Sequence, residues 1–366
     1  MTVRWVRDMF SEKINLLKAF AILLVVSGHL EFSILGMFPP YSFQLALFFF
    51  ISGMLFKEKY LNDTVTFVKR RLKSLILPYF LYEIFYVIVT YLIFHFTGKW
   101  WGEPVTWKNF FITPFLNGHQ LELSCPLWFV PQLFITMTSF LFFMKFLFRV
   151  TQNKFVHLAI FLVFGFLTIP VIKSVPHTSI NLLVFRTLYS MFFVYLGYFF
   201  MHHIKDKHDI FTPKWLGAIL VFQSLLWLYN RDYDPTHGIG LSYVLVWARF
   251  DDQIIVPVLT SLTGIWASLY TINIVYPYFK DIKFLKYMGE TTFHIMANHL
   301  LVMYLITAVF LKINGIPMAE RALHNIYWIY NPVQTTFLYF VLTMVITTYA
   351  GVLQKYIKAK LFSAKQ

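Results

Sequence analysis

Runs of roughly twenty mostly apolar residues, parted by short polar stretches, recur along the whole chain. Each is long enough to cross a bilayer as a helix. Ten can be marked: 14–34, 42–57, 74–97, 127–148, 155–173, 181–201, 214–230, 253–276, 291–311 and 334–354. The stretch 236–249, interrupted by Gly238 and Gly240, is too short to span alone and is expected to lie in the interface or re-enter. The pattern predicts an all-α, polytopic membrane bundle of about ten transmembrane helices, forming one domain over 1–366. The first run carries Lys18 and His29 and has no small-residue cleavage site, so it reads as a span and not as a signal peptide.

The cations give the orientation. With a cytoplasmic N-terminus, 22 of the 31 Lys and Arg residues fall on inside segments, six fall outside, and Lys18, Arg186 and Arg249 sit in or beside spans. The bias alternates correctly at every loop, which a missed span would have reversed downstream, so both termini are expected inside.

Composition agrees. The chain is 58% hydrophobic and only 13% charged, too few charges to cover a water-soluble surface. The net charge of +14 would ordinarily raise nucleic acid as a partner, but here it is absorbed by topology, so none is expected. Cys125 is the single cysteine, which excludes an internal disulfide and any CxxC site, and no histidine pair has a metal-ligand spacing, so no metal is expected. Trp100, Trp101, Trp107 and Trp128 around the outer loop 98–126, with Tyr327, Trp328 and Tyr330 near the last one, read as interfacial anchors.

Ionisable groups inside spans cost about 2.5–3.5 kcal/mol each on insertion scales and so ask for a reason. Lys18 and His29 are eleven residues apart, which puts them on one helix face about 16 Å apart along the axis. This stripe suggests a lane from a cytosolic anion site to a buried titratable group. A neutral imidazole is available near pH 7 as a general base, or as a nucleophile forming an acyl-imidazole. Glu31 lies about 200° around the helix from His29. Glu83 is a second buried carboxylate, expected either to orient His29 or, slightly in preference, to pair with Arg186. The run Lys69-Arg70-Arg71 reads as a topology signal, or as a phosphate site facing the cytosol.

Several short motifs resemble those of the acyltransferase 3 family, especially its fucose 4-O-acetylase-like and exopolysaccharide O-acetyltransferase-like members. The carriers are Lys18, ten residues and His29, with Lys where the family usually has Arg; the stretch Leu47 to Phe56 containing Ser52-Gly53; and the basic loop from Phe67 to Pro78. Further along come Pro126-Leu127-Trp128-Phe129-Val130, the helix from Arg186 to Gly197-Tyr198, and Gly289, Thr292 and His299. The resemblance covers about residues 10–350.

That resemblance implies transfer of an acyl group, usually acetyl, from acetyl-CoA as donor substrate to a hydroxyl of a cell-surface or lipid-linked glycan, in a bacterial cytoplasmic membrane, with no fused soluble domain. It implies His29 as catalytic base or transient acyl carrier. Lys18, Lys69, Arg70 and Arg71 would face the coenzyme phosphates, Ser52 and Gly53 would shape the acyl-CoA pocket, and His299, Glu83, Arg186 and Glu31 would be orienting or acceptor-side groups. Two other classes fit ten spans with buried charges: a glycan transporter, disfavoured by the lack of an internal repeat, and a polyprenyl-phosphate glycosyltransferase using outer acids such as Asp232, Asp234, Asp251 and Asp252.

Overall fold

The computed structural model describes residues 3–118, 120–205, 210–230, 232, 234, 240–250 and 254–363. Asp251 and Asp252 lie outside the described residues. The elements are α1 (Val3–Gly28), α2 (Gln44–Met54), α3 (Thr64–Arg71), α4 (Leu77–Thr97), α5 (Trp107–Phe111), α6 (Thr113–Leu116), α7 (Phe129–Val150) and α8 (Lys154–Ser174). They continue through α9 (Ser179–Phe199), α10 (Pro213–Tyr229), α11 (Val256–Phe279), α12 (Lys283–Glu290), α13 (Thr292–Ile313), α14 (Ala319–Ala322) and α15 (Pro332–Ser363). Short π-helical turns at Leu72–Ile76 and Phe200–Ile204 join α3 to α4 and extend α9. Among the described residues there is no strand, only two isolated bridges, Gly102 to Leu121 and Val244 to Arg249.

Every predicted apolar run overlaps a helix. Seven of those helical stretches are long and apolar enough to cross a membrane, from the one ending at Thr97 to the one starting at Pro332. The others are α1, α10 and α2. Bulky apolar side chains such as Leu81, Ile88 and Leu92 on α4 and Val221, Leu225 and Leu228 on α10 are exposed; this is a belt suited to lipid and not to water.

The short helix α2 is the informative departure. Its 11 residues reach only about 16 Å, half of a ~30 Å hydrocarbon core. The chain leading into it is irregular, because Pro39 and Pro40 cannot continue a helix and Tyr41 takes a left-handed φ of 61°. Residues 240–250 pack beside it, mostly buried. The two segments satisfy each other's backbone: Tyr243 N donates to Tyr41 O at 3.0 Å, and Ser242 Oγ donates to Pro40 O at 2.7 Å. Irregular backbone at membrane depth is tolerated where it lines a cavity, so this pairing marks one.

The helix α1 is central, packing on α2, α11, α12, α13 and α15. The closest helix approach is between α2 and α9. A Cβ at Gly53 would lie 1.9 Å from Val194 O, and one at Gly197 would lie 1.9 Å from Phe50 O. Both helices therefore need glycine there.

Loops assigned to the same side contact one another. At the inner end Lys205 Nζ sits 3.9 Å from the Phe10 ring centroid and Lys355 Nζ donates to Glu290 O at 2.6 Å. At the outer end Lys99 Nζ donates to Ala322 O at 2.8 Å and His324 O at 3.0 Å.

Candidate active site

Helix α1 ends in a paired backbone cap. Phe32 N donates to Ser27 O and Glu31 N to Gly28 O, both at 3.1 Å, with Glu31 left-handed at φ 59°. This is the Schellman arrangement, in which glycine is the usual residue at the position Glu31 occupies. It places His29 immediately after the last residue of α1, its ring projecting from a rigid end.

Three aromatic groups hold that ring. Tyr41 Oη lies 2.9 Å from His29 Nδ1. The Tyr327 ring stacks parallel to it, centroids 5.4 Å apart with an interplanar angle of 1°, and the His299 ring lies at 4.9 Å. When Nδ1–H donates to Tyr41 Oη, Nε2 keeps the lone pair that a general base needs. His299 is fully buried; its Nδ1–H donates to Ile295 O at 3.0 Å, which leaves Nε2 as an acceptor with no partner among the described residues. Tyr327 is fixed in turn by Cys125, Sγ to Oη 3.1 Å.

Two cavities meet at His29. The inner one, about 250 Å³, runs down α1 past Val25 and Ile22 to Lys18 and is walled by Ser52, Phe129, Val130 and Thr292. The outer one, about 520 Å³, is lined by Trp128, Trp247, Tyr327 and Trp328 with Glu31, Arg249 and Asn325. Gly28, His29, Tyr41, Pro126, Trp128, Val244 and Val246 belong to both. The Lys18-to-His29 stripe is thus one wall of a continuous channel, and Ser52 is another, its hydroxyl donating to Phe48 O at 2.9 Å.

Other residues singled out in the sequence lie elsewhere. Gly53 faces α9 and lines neither cavity. Lys69 and Arg70 are exposed, with Arg70 Nη1 donating to Tyr60 Oη at 2.9 Å, and Arg71 lies over the Phe67 ring; none of the three lines either cavity. Their helix α3 starts at the N-cap Asp63, whose carboxyl the Thr66 hydrogen bonds hold below its ordinary range.

The expected pairing of Glu83 with Arg186 does not occur, nor does Glu83 reach His29. Glu83 accepts from Ser124 Oγ at 3.4 Å. Arg186 instead ties outer segments together through carbonyls, Nη2 to Leu116 O at 2.5 Å and Nη1 to Val246 O at 3.2 Å, with Trp128 against its guanidinium. A buried guanidinium with five donors is satisfied as well by backbone oxygens as by a carboxylate, and spacing cannot tell the two apart. Asp232 and Asp234 line neither cavity.

Sequence reasoning missed Tyr41, Trp247 and Arg321 as site groups, took Tyr327 and Trp328 only as anchors, and took Trp128 as an anchor and as part of a motif. Arg321 is fully buried, donating to Asn325 O at 2.8 Å and Ile326 O at 3.1 Å, with Trp101, Tyr304 and Trp328 around it. It holds the turn that presents Tyr327 to His29. The one available signal was an arginine set among aromatics in an outer loop.

The fold and site define a polytopic helical membrane protein with a rigidly held histidine between an inner and an outer chamber. The profile of the acyltransferase 3 family, described as an acyltransferase domain, matches residues 11–353, and the chain belongs to that family. It is a membrane acyltransferase. No curated protein and no solved structure matches the chain.

Proposed function

We propose that this acyltransferase moves an acetyl group from cytoplasmic acetyl-CoA to a hydroxyl of a cell-surface or lipid-linked polysaccharide sugar at the bacterial cytoplasmic membrane. The observation that carries the reading is the position of His29, whose ring is common to a narrow channel leading to Lys18 and a wider, aromatic-lined outer chamber. The inner channel suits an extended thioester arm. The outer one offers the flat faces of Trp128, Trp247 and Trp328 and the polar ends of Glu31, Arg249 and Asn325, a mixture suited to the apolar faces and hydroxyl edges of a sugar.

In the reaction the sugar hydroxyl gives its proton to His29 Nε2 as its oxygen attacks the thioester carbonyl. The C–S bond then breaks, and the leaving thiolate takes the proton to become the free thiol. The products are an O-acetyl ester and coenzyme A. Tyr41 and Tyr327 fix the ring, so the protein contributes mainly a positioned base and two aligned reactants.

The test is transfer of label from acetyl-CoA to glycan in isolated membranes. His29→Ala is expected to abolish transfer while the protein still inserts at normal levels. Transfer at the wild-type rate in that variant, or transport of a glycan with no transfer by the wild type, would overturn the reading.

A further inference from the structure

A third cavity of about 650 Å³ opens at the inner end and shares Lys18 and Leu55 with the channel to His29. Besides Lys18 it is lined by Lys280, Lys283 and Lys286. These three are exposed, and their ammonium groups have no ion-pair or hydrogen-bond partner among the described residues. The acids in the same wall are Glu12, Asp281 and Glu290. Glu12 is engaged, accepting from Tyr276 Oη at 2.6 Å, so the lysines outnumber the free carboxylates.

The lysines are set by the fold and are not a loose surface run. Lys283 and Lys286 share one face of α12, three residues apart. That helix is clamped to α1: Asn15 Nδ2 donates to Lys286 O at 2.8 Å, and a Cβ at Gly289 would meet Asn15 O at 2.1 Å. Asn15 is one turn from Lys18, so the clamp fixes the lysine face beside the mouth of the channel. The α12 N-cap, Ile282, makes no side-chain cap bond, and the free amides of the first turn add to the positive potential there.

We propose that this cleft binds the phosphates of a nucleotide-bearing thioester donor, through Lys18, Lys280, Lys283 and Lys286. The inference rests on the acetyl-CoA reading above and moves the phosphate site from Lys69, Arg70 and Arg71 to α12. Distance supports it. From Lys18 to His29 is eleven helical residues, about 16 Å. A pantetheine arm is about as long as four to five extended residues at ~3.5 Å each, which brings the thioester to His29 with the diphosphate at the cleft.

The experiment compares acetyl-CoA with acetyl-pantetheine, which keeps the thioester and lacks every phosphate, in nanodiscs of phosphatidylcholine. Lys280→Ala/Lys283→Ala/Lys286→Ala is expected to raise KM for acetyl-CoA about tenfold or more relative to KM for acetyl-pantetheine, because ammonium–phosphate contacts are lost only with the first. Lys69→Ala/Arg70→Ala/Arg71→Ala should leave that ratio within about twofold. An unchanged ratio in the lysine triple, or a change in the second triple alone, overturns the proposal. A loss that appears only when phosphatidylglycerol replaces phosphatidylcholine, and equally for both donors, assigns the cleft to a lipid headgroup and also overturns it. If the wild type transfers from neither donor, the functional reading fails. Binding of coenzyme A against pantetheine to the same variants then tests the cleft alone: a lysine-dependent preference for coenzyme A sustains it, and equal binding ends it.

Discussion

Tyr41→Phe deletes a single oxygen, the one 2.9 Å from His29 Nδ1. A neutral hydrogen bond of this kind contributes a net ~0.5–1.5 kcal/mol. Here that energy biases the ring's orientation, holding the Nδ1 edge against Tyr41 and Nε2 on the opposite edge; the hydroxyl can pair with either tautomer. Losing ~1.4 kcal/mol of such bias is tenfold in the population of the competent base. The loss should stop near there, because the parallel Tyr327 ring at 5.4 Å and the His299 ring at 4.9 Å still hold the imidazole plane. Steady-state kinetics in membranes should therefore show kcat down about tenfold with both KM values within about twofold, whereas His29→Ala, which removes the base, should cost about 10²–10⁴. Thermal unfolding should move little, since Phe keeps the ring and the backbone. A kcat within twofold of wild type would refute an orienting role for the hydroxyl. A loss as deep as that of His29→Ala would refute it differently, by making Tyr41 a participant in the chemistry.

Three further substitutions follow from the geometry. Gly53→Ala places a methyl 1.9 Å from Val194 O; α2 and α9 must part by about 1.5 Å to restore contact, so thermal stability in detergent should fall by about 3 kcal/mol. A stable Gly53→Ala with a raised donor KM would instead make that glycine a pocket residue. Arg321→Met strips two carbonyl contacts and the aromatic cage, and should loosen the turn bearing Tyr327 by about 3 kcal/mol. The readout is faster proteolysis of 314–331 and lower kcat at unchanged donor KM; unchanged proteolysis would sink it. Glu31→Gly relieves a left-handed residue and should raise stability by up to about 1 kcal/mol, while the acceptor KM rises through loss of the carboxylate. A variant with no gain in melting temperature counts against the strain, and an unchanged acceptor KM counts against the contact.

The regular parts of this molecule were legible in the sequence because a bilayer imposes one rule on them: about twenty apolar residues and cations on one side. That rule located α4, α7, α8, α9, α11 and α13 within a few residues, and the start of α15, which runs on past the predicted 354 to Ser363. The Lys18-to-His29 stripe was legible for an equally simple reason, helical phase. The rule fails where membrane-depth chain is not helical. Residues 35–41 fall between two predicted runs and 236–249 was too short to span, yet chain from both forms the paired loops that carry Tyr41, Val244 and Trp247 to the site. Aromatics were illegible for another reason. Trp107, exposed in the outer loop, and Trp328, in the outer chamber, share one composition signal, and only tertiary contacts separate an anchor from a wall. Gly53 and Gly197 sat inside motif stretches, and motif position says nothing about which side of α2 a residue faces.

Backbone strain divides the molecule at His29. Among the described residues, the non-glycine residues with positive φ are Glu31, Tyr41, Ala248 and Asn331. Glu31 and Tyr41 line the outer chamber; Ala248 sits between Trp247 and Arg249, and Asn331 precedes Pro332, all three of which line it. At ~1–2 kcal/mol each, four such residues cost a sum comparable with the stability of a whole domain, so the surrounding contacts must over-determine them. They are met by fixed partners: Tyr243 N on Tyr41 O, Val244 and Arg249 bridging each other, and Arg321 and Arg186 capping loop carbonyls. Below His29 the channel is walled largely by the helices α1, α2, α7 and α13. Helices give a straight, uniform passage, which is what one donor of fixed shape requires. Loops over-determined by buried arginines give a wide chamber whose shape can be changed residue by residue, which is what acceptor choice requires. The division of regular from irregular backbone thus follows the division of labour in the proposed reaction, with His29 at the boundary.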